Sequence, residues 1–210
     1  LPVHQVACGV SDILMHTLDR YFNPVTDNAL TDELAEALLR VVLEYGPAAV
    51  RDAHDEKAMS EIMWAGSLSH NGLTGLGGRK DFATHQLGHA LSEKFDVYHG
   101  DSLTAVWASW ARSVMDEDPA RFARFARNVW HVEEADDTAA ALVGIVKQEA
   151  FFRSIGMPVR LGELSCGRQN EAGLADLASR CSYGKTRTIG TFRVLDYEKI
   201  LAIYRRANEA

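Results

Sequence analysis

Histidine is concentrated in one stretch of the chain, residues 81–100, with the sequence DFATHQLGHALSEKFDVYHG. His85 and His89 are spaced i,i+4, so on a helix both imidazoles project from the same face. His99 follows a short break and stands immediately before another apolar helical pattern. Neutral imidazole is a common metal ligand and a general acid or base near neutral pH. The stretch therefore indicates a metal-binding or acid–base site.

A second element near the start of the chain, VACGVSDILMHTLDRYF, repeats this arrangement with Asp12 and His16 at i,i+4. Three neutral imidazoles and one carboxylate suit a borderline divalent cation such as Fe²⁺ or Zn²⁺. With one anionic ligand, the bound ion keeps a net charge of about +1 and remains a Lewis acid able to polarise an oxygen. Judged by spacing alone, His85 and His89 are the two metal ligands contributed by the helix within residues 81–100.

Both histidine-bearing helices are predicted to be apolar on the opposite side. In the segment with His85 the opposite face carries Leu87, Leu91 and Phe95, and in the segment with Asp12 it carries Val6, Val10 and Leu14. Each helix is therefore expected to lie between a core and a polar cavity.

The rest of the chain also shows helical periodicity. Predicted helices cover residues 3–21, 31–45 with a stop at Gly46-Pro47, a short segment ending at 53, and 56–70. The histidine-bearing helix lies within 81–95 and ends at the break 96–98, and the amphipathic helix after His99 ends at Asp118-Pro119. Further helices are predicted from there to 130 and over 136–155, 169–182 and 196–207. Residues 183–195 are the only extended candidate. Residues 71–80, NGLTGLGGRK, lack the GxGxxG spacing and a preceding strand, so they are expected to form a bend rather than a phosphate cradle. The sequence predicts an all-α fold and one metal-binding helical domain spanning residues 1–210.

Composition narrows the classes of function. The formal charge is −7 and no run of basic residues offsets it, which argues against a nucleic-acid partner. No apolar run reaches the roughly 20 residues that a membrane span needs, and no leader opens the chain. Three widely spaced cysteines without a CxxC motif argue against a disulfide framework and for a reducing compartment, so the expected location is the cytoplasm.

The histidine stretch and the upstream GVSDILMHT resemble the C-terminal helical domain of iron-containing alcohol dehydrogenases, within the dehydroquinate synthase-like fold. The similarity is greatest to the butanol dehydrogenase type, and FFRSIGMPVRL and LDYEKILAIYRRA resemble the end of that family. The resemblance implies one divalent metal, with Fe²⁺ favoured over Zn²⁺. It places Asp12, His16, His85 and His99 on that metal, and His89 beside the nicotinamide and the substrate as the catalytic and cofactor-binding residue.

The resemblance also implies an activity, which is transfer of hydride between a metal-bound primary alcohol or aldehyde and NAD(P), in a homodimer. Asp plus three His favours this branch over the related dehydroquinate synthases and glycerol dehydrogenases. Family members carry an N-terminal α/β nucleotide-binding domain that these 210 residues lack. The chain is therefore expected to be inactive alone.

Two alternatives stay open on sequence grounds. The metal could only tie helices together in a closed structural site, since four protein ligands complete a tetrahedron. Alternatively, His54-Asp55 could belong to a helical metal-dependent phosphohydrolase. The isolated histidines are expected to be ordinary surface or core groups; they are His4, His54, His70 and His131. Cys8 is expected to be a small buried hydrophobe rather than a soft ligand, and Trp107 and Trp110 are expected to belong to the core.

Overall fold

A computed structural model describes residues 1–25 and 27–209, and over these residues the chain forms nine α-helices. Within the described residues there is no strand, and residues 183–195 contribute only an isolated bridge between Ile189 and Leu195. The predicted all-α class is therefore confirmed. The helices are α1 (Val3–Tyr21), α2 (Ala29–Arg51), α3 (Glu56–His70), α4 (Ala83–Phe95), α5 (His99–Val114), α6 (Pro119–Trp130), α7 (Asp137–Ser154), α8 (Glu171–Cys181) and α9 (Tyr197–Asn208).

Many helix starts follow from local side-chain chemistry. Asp or Asn precedes five of the helices, and each side chain accepts a hydrogen bond from a backbone N–H in the first turn. Such caps satisfy N–H groups that a helix leaves unpaired. The capping residues are Asp55, Asp118, Asp136, Asn170 and Asp196.

Helix α5 lies at the centre of the molecule and packs against α1, α4, α7 and α9. Trp107 and Trp110 are fully buried on it, which confirms that they belong to the core. The apolar stripes predicted for α1 and α4 are buried as well, except that Phe95 is only partly covered. The polar faces of α1 and α4 are consequently turned toward the start of α5.

The predicted stop at Gly46-Pro47 is wrong, because α2 continues through Pro47 to Arg51 as one helix. Gly46 is instead a packing residue, since a Cβ there would lie 2.8 Å from Val10 Cγ1 on α1. The helix also begins before Thr31, whose hydroxyl donates to the Leu76 carbonyl oxygen at 3.0 Å instead of capping α2.

The glycine-rich segment 71–80 is a bend that leads into α4, as predicted. It contains one 3₁₀ turn, Leu73–Gly75, and Gly72 and Gly77 adopt the positive φ angles that glycine accommodates without strain. Where it ends, the Asp81 backbone N–H donates to the Asp19 carbonyl oxygen at 2.9 Å, which fixes the start of α4 against α1.

The structure bears on two further predictions. All three cysteines are free thiols. Among the described helices, none has both the length and the apolar character needed to cross a bilayer.

Candidate metal centre

Three helices bring the predicted ligands together around the Asp12 carboxylate. Asp12 and His16 lie on α1, His85 lies in α4, and His99 is the first residue of α5. Asp12 Oδ1 lies 3.7 Å from His85 Nε2 and 3.4 Å from His99 Nε2, while Asp12 Oδ2 lies 3.8 Å from His16 Nε2. Donor atoms around a tetrahedral ion with bonds near 2.1 Å are about 3.4 Å apart, so these distances suit a metal.

The four residues do not form an equally tight group. Ligand atoms of Asp12, His16 and His85 all lie within 4.8 Å of one another. His99 contacts this group at Asp12. The side chain of His99 is 41% exposed, whereas that of His85 is 4% exposed. The buried side of the centre is thus fixed by three residues, and His99 lies on its open side.

Two buried atoms at this point lack a hydrogen-bond partner among the described residues: Asp12 Oδ1 and His85 Nε2. Leaving such atoms unpaired costs about 1–3 kcal/mol each. They face each other at 3.7 Å, which is too long for a hydrogen bond. A divalent cation bound by both would satisfy them, so the residues fit a metal.

Asp19 orients His85. The Nδ1–H of His85 donates to Asp19 Oδ2 at 2.6 Å, and the Asp19 side chain is fully buried. This bond fixes one proton on Nδ1, so Nε2 is the nitrogen that faces Asp12 and can bind a metal once it is deprotonated, as in many carboxylate–histidine–metal arrangements. Asp19 was not among the residues expected at the site, although it stands seven residues after Asp12 and thus on the same helix face.

The centre is strongly polarised. Burial would raise the pKa of Asp12, but His85, His99 and His16 hold it well below its usual range. Burial lowers the pKa of His16 to about 3. The charges of His85, His70 and Arg20 also lower it, and together these effects outweigh the charge of Asp12, which raises it. Burial opposes protonation of His85, but Asp12 and Asp19 outweigh it and raise its pKa to about 9. Asp12 and His16 are therefore in their metal-binding forms at neutral pH, while a metal must displace a proton from His85.

His89 lies beside the centre and is exposed. Its ring stacks on that of His99 with centroids 5.3 Å apart, and it is 6.1 Å from the ring of His85. Burial, followed by the neighbouring His99, His85 and Arg187, lowers the pKa of His89, so the neutral imidazole is favoured.

His70, expected to be an ordinary surface or core histidine, lies against the Asp12 centre. Its Nε2 lies 3.2 Å from Asp12 Oδ2, and its ring centroid is 4.0 Å from that of His16. Nδ1 lies 2.8 Å from the Ser69 hydroxyl and 2.9 Å from the Gly66 carbonyl oxygen. In the tautomer in which Ser69 donates to Nδ1, the Nε2 proton is left for Asp12. His70 thereby holds one oxygen of Asp12 and leaves Oδ1 for a metal. No local signal in the sequence could reveal this, because 58 residues separate His70 from Asp12.

We expect His70→Leu to weaken metal binding by about 10–100-fold, the usual effect of losing an outer hydrogen-bond partner of a ligand. His70→Gln is the matched control, because its amide can donate from nearly the same position as Nε2. Affinity is measured by competition with a chelator. Equal affinities for the Leu and Gln variants would show that the hydrogen bond to Asp12 has no role.

The His54-Asp55 pair does not form a comparable site. The Asp55 side chain accepts from the Ala58 backbone N–H at 3.0 Å as the cap of α3, and His54 is exposed. Within the described residues, neither belongs to a group of three or more potential metal ligands. The geometry thus lends no support to the phosphohydrolase alternative.

An all-α domain with carboxylate and imidazole donors converging from three helices defines a candidate metal-binding domain. Residues 5–208 match the Fe-containing alcohol dehydrogenase family, C-terminal. The chain belongs to this family and corresponds to its C-terminal domain.

Relatives of known name agree with this assignment. The chain is 32% identical over 209 residues to NADH-dependent butanol dehydrogenase A of Clostridium acetobutylicum, covering 99% of this chain and 53% of that protein. Among solved structures it is similar to the aldehyde reductase YqhD of Escherichia coli, with a TM-score of 0.92, 28% identity and coverage of 99% and 54%. It is also similar to NADH-dependent butanol dehydrogenase A of Thermotoga maritima, with a TM-score of 0.91, 25% identity and coverage of 100% and 53%. The chain thus spans about half the length of these relatives.

Proposed function

We propose that this chain is the metal- and substrate-binding domain of an NAD(P)-dependent alcohol dehydrogenase or aldehyde reductase. The observation that carries the proposal is that the buried Asp12 Oδ1 and His85 Nε2 face each other at the junction of three helices without a hydrogen-bond partner in the described part of the chain. Asp12, His16, His85 and His99 would hold one divalent ion, with Fe²⁺ favoured and Zn²⁺ the second candidate. The names of the relatives support the nicotinamide dinucleotide and the alcohol or aldehyde substrate.

When bound, the ion would supply Lewis acidity toward the substrate oxygen. The protein's own residues set the conditions for this. Asp12 contributes the single negative charge of the ligand set, and Asp19 keeps the His85 ring in one orientation. The apolar stripes behind both helices keep water from the buried side, so a substrate would approach past His99 and His89.

We assign His89 a role beside the metal and not on it. Its exposed ring stacks on His99, where it can orient a nicotinamide ring or transfer a proton to or from a substrate hydroxyl. The lowered pKa of His89 favours the neutral form, which can accept a proton.

Turnover would need a nucleotide site larger than this surface. Since the chain spans about half the length of its relatives, we propose that most of the dinucleotide is bound by residues beyond these 210 and that the chain is inactive alone. We further propose that the whole enzyme is a cytoplasmic homodimer.

The two histidines after His85 provide the test of the ligand set. We expect His99→Ala to lose most of the bound metal on dialysis, while His89→Ala keeps it. Of these two histidines, His99 is the one whose Nε2 lies near Asp12 Oδ1. Metal content is measured by elemental analysis of protein loaded with Fe²⁺ without oxygen, or with Zn²⁺. The opposite outcome, an empty site in His89→Ala and a full one in His99→Ala, would refute the assignment.

Removing the metal separates a catalytic ion from a purely structural one. Trp107 and Trp110 are fully buried and pack against aromatic rings outside the ligand set, so the chelated protein is expected to remain helical at 25 °C. Its Tm should fall by about 5–10 °C, as for loss of a ligand present at about 100 times its Kd. Circular dichroism before and after chelation gives both values. Complete unfolding at 25 °C would instead favour a metal-stabilised helical module.

A further inference from the structure

A second group of potential metal ligands lies one turn before Asp12. His4 and Cys8 are spaced i,i+4 on α1, and Asp101 lies in the first turn of α5. His4 Nε2 lies 3.0 Å from Asp101 Oδ1, and Cys8 Sγ lies 3.8 Å from the same oxygen. The three ligand atoms are all within 4.8 Å of one another. One imidazole, one thiol and one carboxylate are thus assembled at a single point.

The surroundings fix this group on one side and leave it open on the other. A Cβ at Gly100 would lie 2.7 Å from the Cys8 Cα, so the backbones of α1 and α5 are in close contact beside the cluster. The edge of the His4 ring packs against Tyr98, with centroids 5.2 Å apart. On the open side, His4 and Asp101 line a cavity of about 430 Å³ that also borders Met157 and Glu163.

From this geometry we propose that His4, Cys8 and Asp101 bind a second divalent ion, of the Zn²⁺ class, which is separate from the ion at Asp12. Zn²⁺ takes sulfur, nitrogen and oxygen donors in tetrahedral sites, with bonds of about 2.0–2.3 Å. Neighbouring donors in such a site are about 3.3–3.8 Å apart. The two donor distances from Asp101 Oδ1 are near this range, 3.0 Å to His4 Nε2 and 3.8 Å to Cys8 Sγ. The fourth position faces the cavity, so a water molecule or a small anionic ligand can complete the coordination.

The donor set differs from that of the Asp12 centre because it includes sulfur. Thiolate ligands favour Zn²⁺ and other soft or borderline ions, whereas imidazole and carboxylate alone select less strongly. Burial, followed by the charge of Asp101, raises the pKa of Cys8 to about 12, so without a cation the thiol keeps its proton. On binding, the Cys8 sulfur coordinates the ion and the thiol proton passes to solvent. Cys8 packs partly buried against the core, as expected, and the proposal adds a role as ligand.

Cobalt distinguishes the two sites, because only a thiolate ligand gives a sulfur-to-Co²⁺ charge-transfer absorption in the near ultraviolet. Titrating metal-free, reduced protein with Co²⁺ should produce this absorption and saturate it by two equivalents per chain, because the Asp12 centre takes up one of the two. Cys8→Ser should abolish it while circular dichroism shows an unchanged helical content. Cys166→Ser is the matched control and should keep the absorption, since Cys166 is a similarly half-buried thiol outside the cluster.

Two further variants separate this proposal from the Asp12 centre. Asp12→Asn should keep the thiolate absorption, because it alters only the other ligand set. His4→Ala should weaken Co²⁺ binding at the thiolate site at least tenfold. The proposal is overturned if the wild-type protein shows no thiolate absorption, if the absorption survives in Cys8→Ser, or if His4→Ala binds as tightly as wild type.

Discussion

Replacing Asp12 with Asn is expected to empty the Asp12 centre. Asp12 is its only anionic ligand, and its two oxygens together lie within 3.8 Å of Nε2 atoms from four histidines. The free energy of metal binding at a four-ligand site is about 10–16 kcal/mol, or roughly 3 kcal/mol for each ligand. Losing the charged ligand should therefore lower the affinity at least about 100-fold. Competition with a chelator measures this loss, and elemental analysis of the dialysed protein reports the metal content.

A second carboxylate serves as control for this experiment. Asp176 on α8 is 44% exposed and pairs with Lys94 and Arg180, well outside the donor group. Asp176→Asn should bind metal as wild type does. If Asp12→Asn retains wild-type affinity at this centre, then Asp12 is not a ligand and the proposed enzyme function loses its basis.

Much of the fold could be predicted from local patterns. Apolar periodicity predicted the helical type of all nine helices in the described part of the chain, and most of the boundaries given were correct to about two residues. The separate short helix ending at 53 and the Thr31 cap were wrong, since both belong to the longer α2. The error at Gly46-Pro47 arose because glycine and proline usually end a helix. Here glycine serves the close packing of α2 against Val10, which no pattern within α2 could reveal.

Sequence patterns could predict only those parts of the site whose residues share one helix face. The i,i+4 spacing placed Asp12 beside His16, as in the structure, but it selected His89 as partner of His85, whereas the family resemblance selected His99. That choice depends on how the start of α5 meets α1, a tertiary contact, and it came from family resemblance. Asp19 could have been found as a third residue on the face of Asp12, whereas His70 could not, since it reaches the centre from α3.

Helix α1 carries both donor groups in a row of every fourth residue, with His4 and Cys8 followed by Asp12 and His16. In an α-helix such a row turns by only about 40° per step, so it runs along one side of α1. The start of α5 meets this row, and Gly100 stands where the two backbones are closest. The single glycine therefore controls the approach of His99 to Asp12.

We expect Gly100→Ala to damage both fold and metal binding. The added Cβ would lie 2.7 Å from the Cys8 Cα and 3.0 Å from the Cys8 carbonyl oxygen, and backbone atoms cannot rotate away as a side chain could. Overpacking of this kind costs about 1–3 kcal/mol, which corresponds to a loss of about 2–12 °C in Tm for a chain of this size. Moving α5 outward would also lengthen the 3.4 Å contact between His99 Nε2 and Asp12 Oδ1, so metal affinity should fall with stability.

Gly9 provides the matched control, because it lies beside Cys8 on α1 and a Cβ there meets nothing within 4 Å among the described residues. Gly9→Ala should raise stability by about 0.5–1 kcal/mol through the better helix propensity of alanine, and it should leave metal binding unchanged. Thermal unfolding with and without metal separates the two effects of Gly100→Ala. A lower Tm with wild-type metal affinity would mean that His99 stays close to Asp12 even when the α5 backbone shifts. An unchanged Tm would contradict the close approach of Gly100 to Cys8.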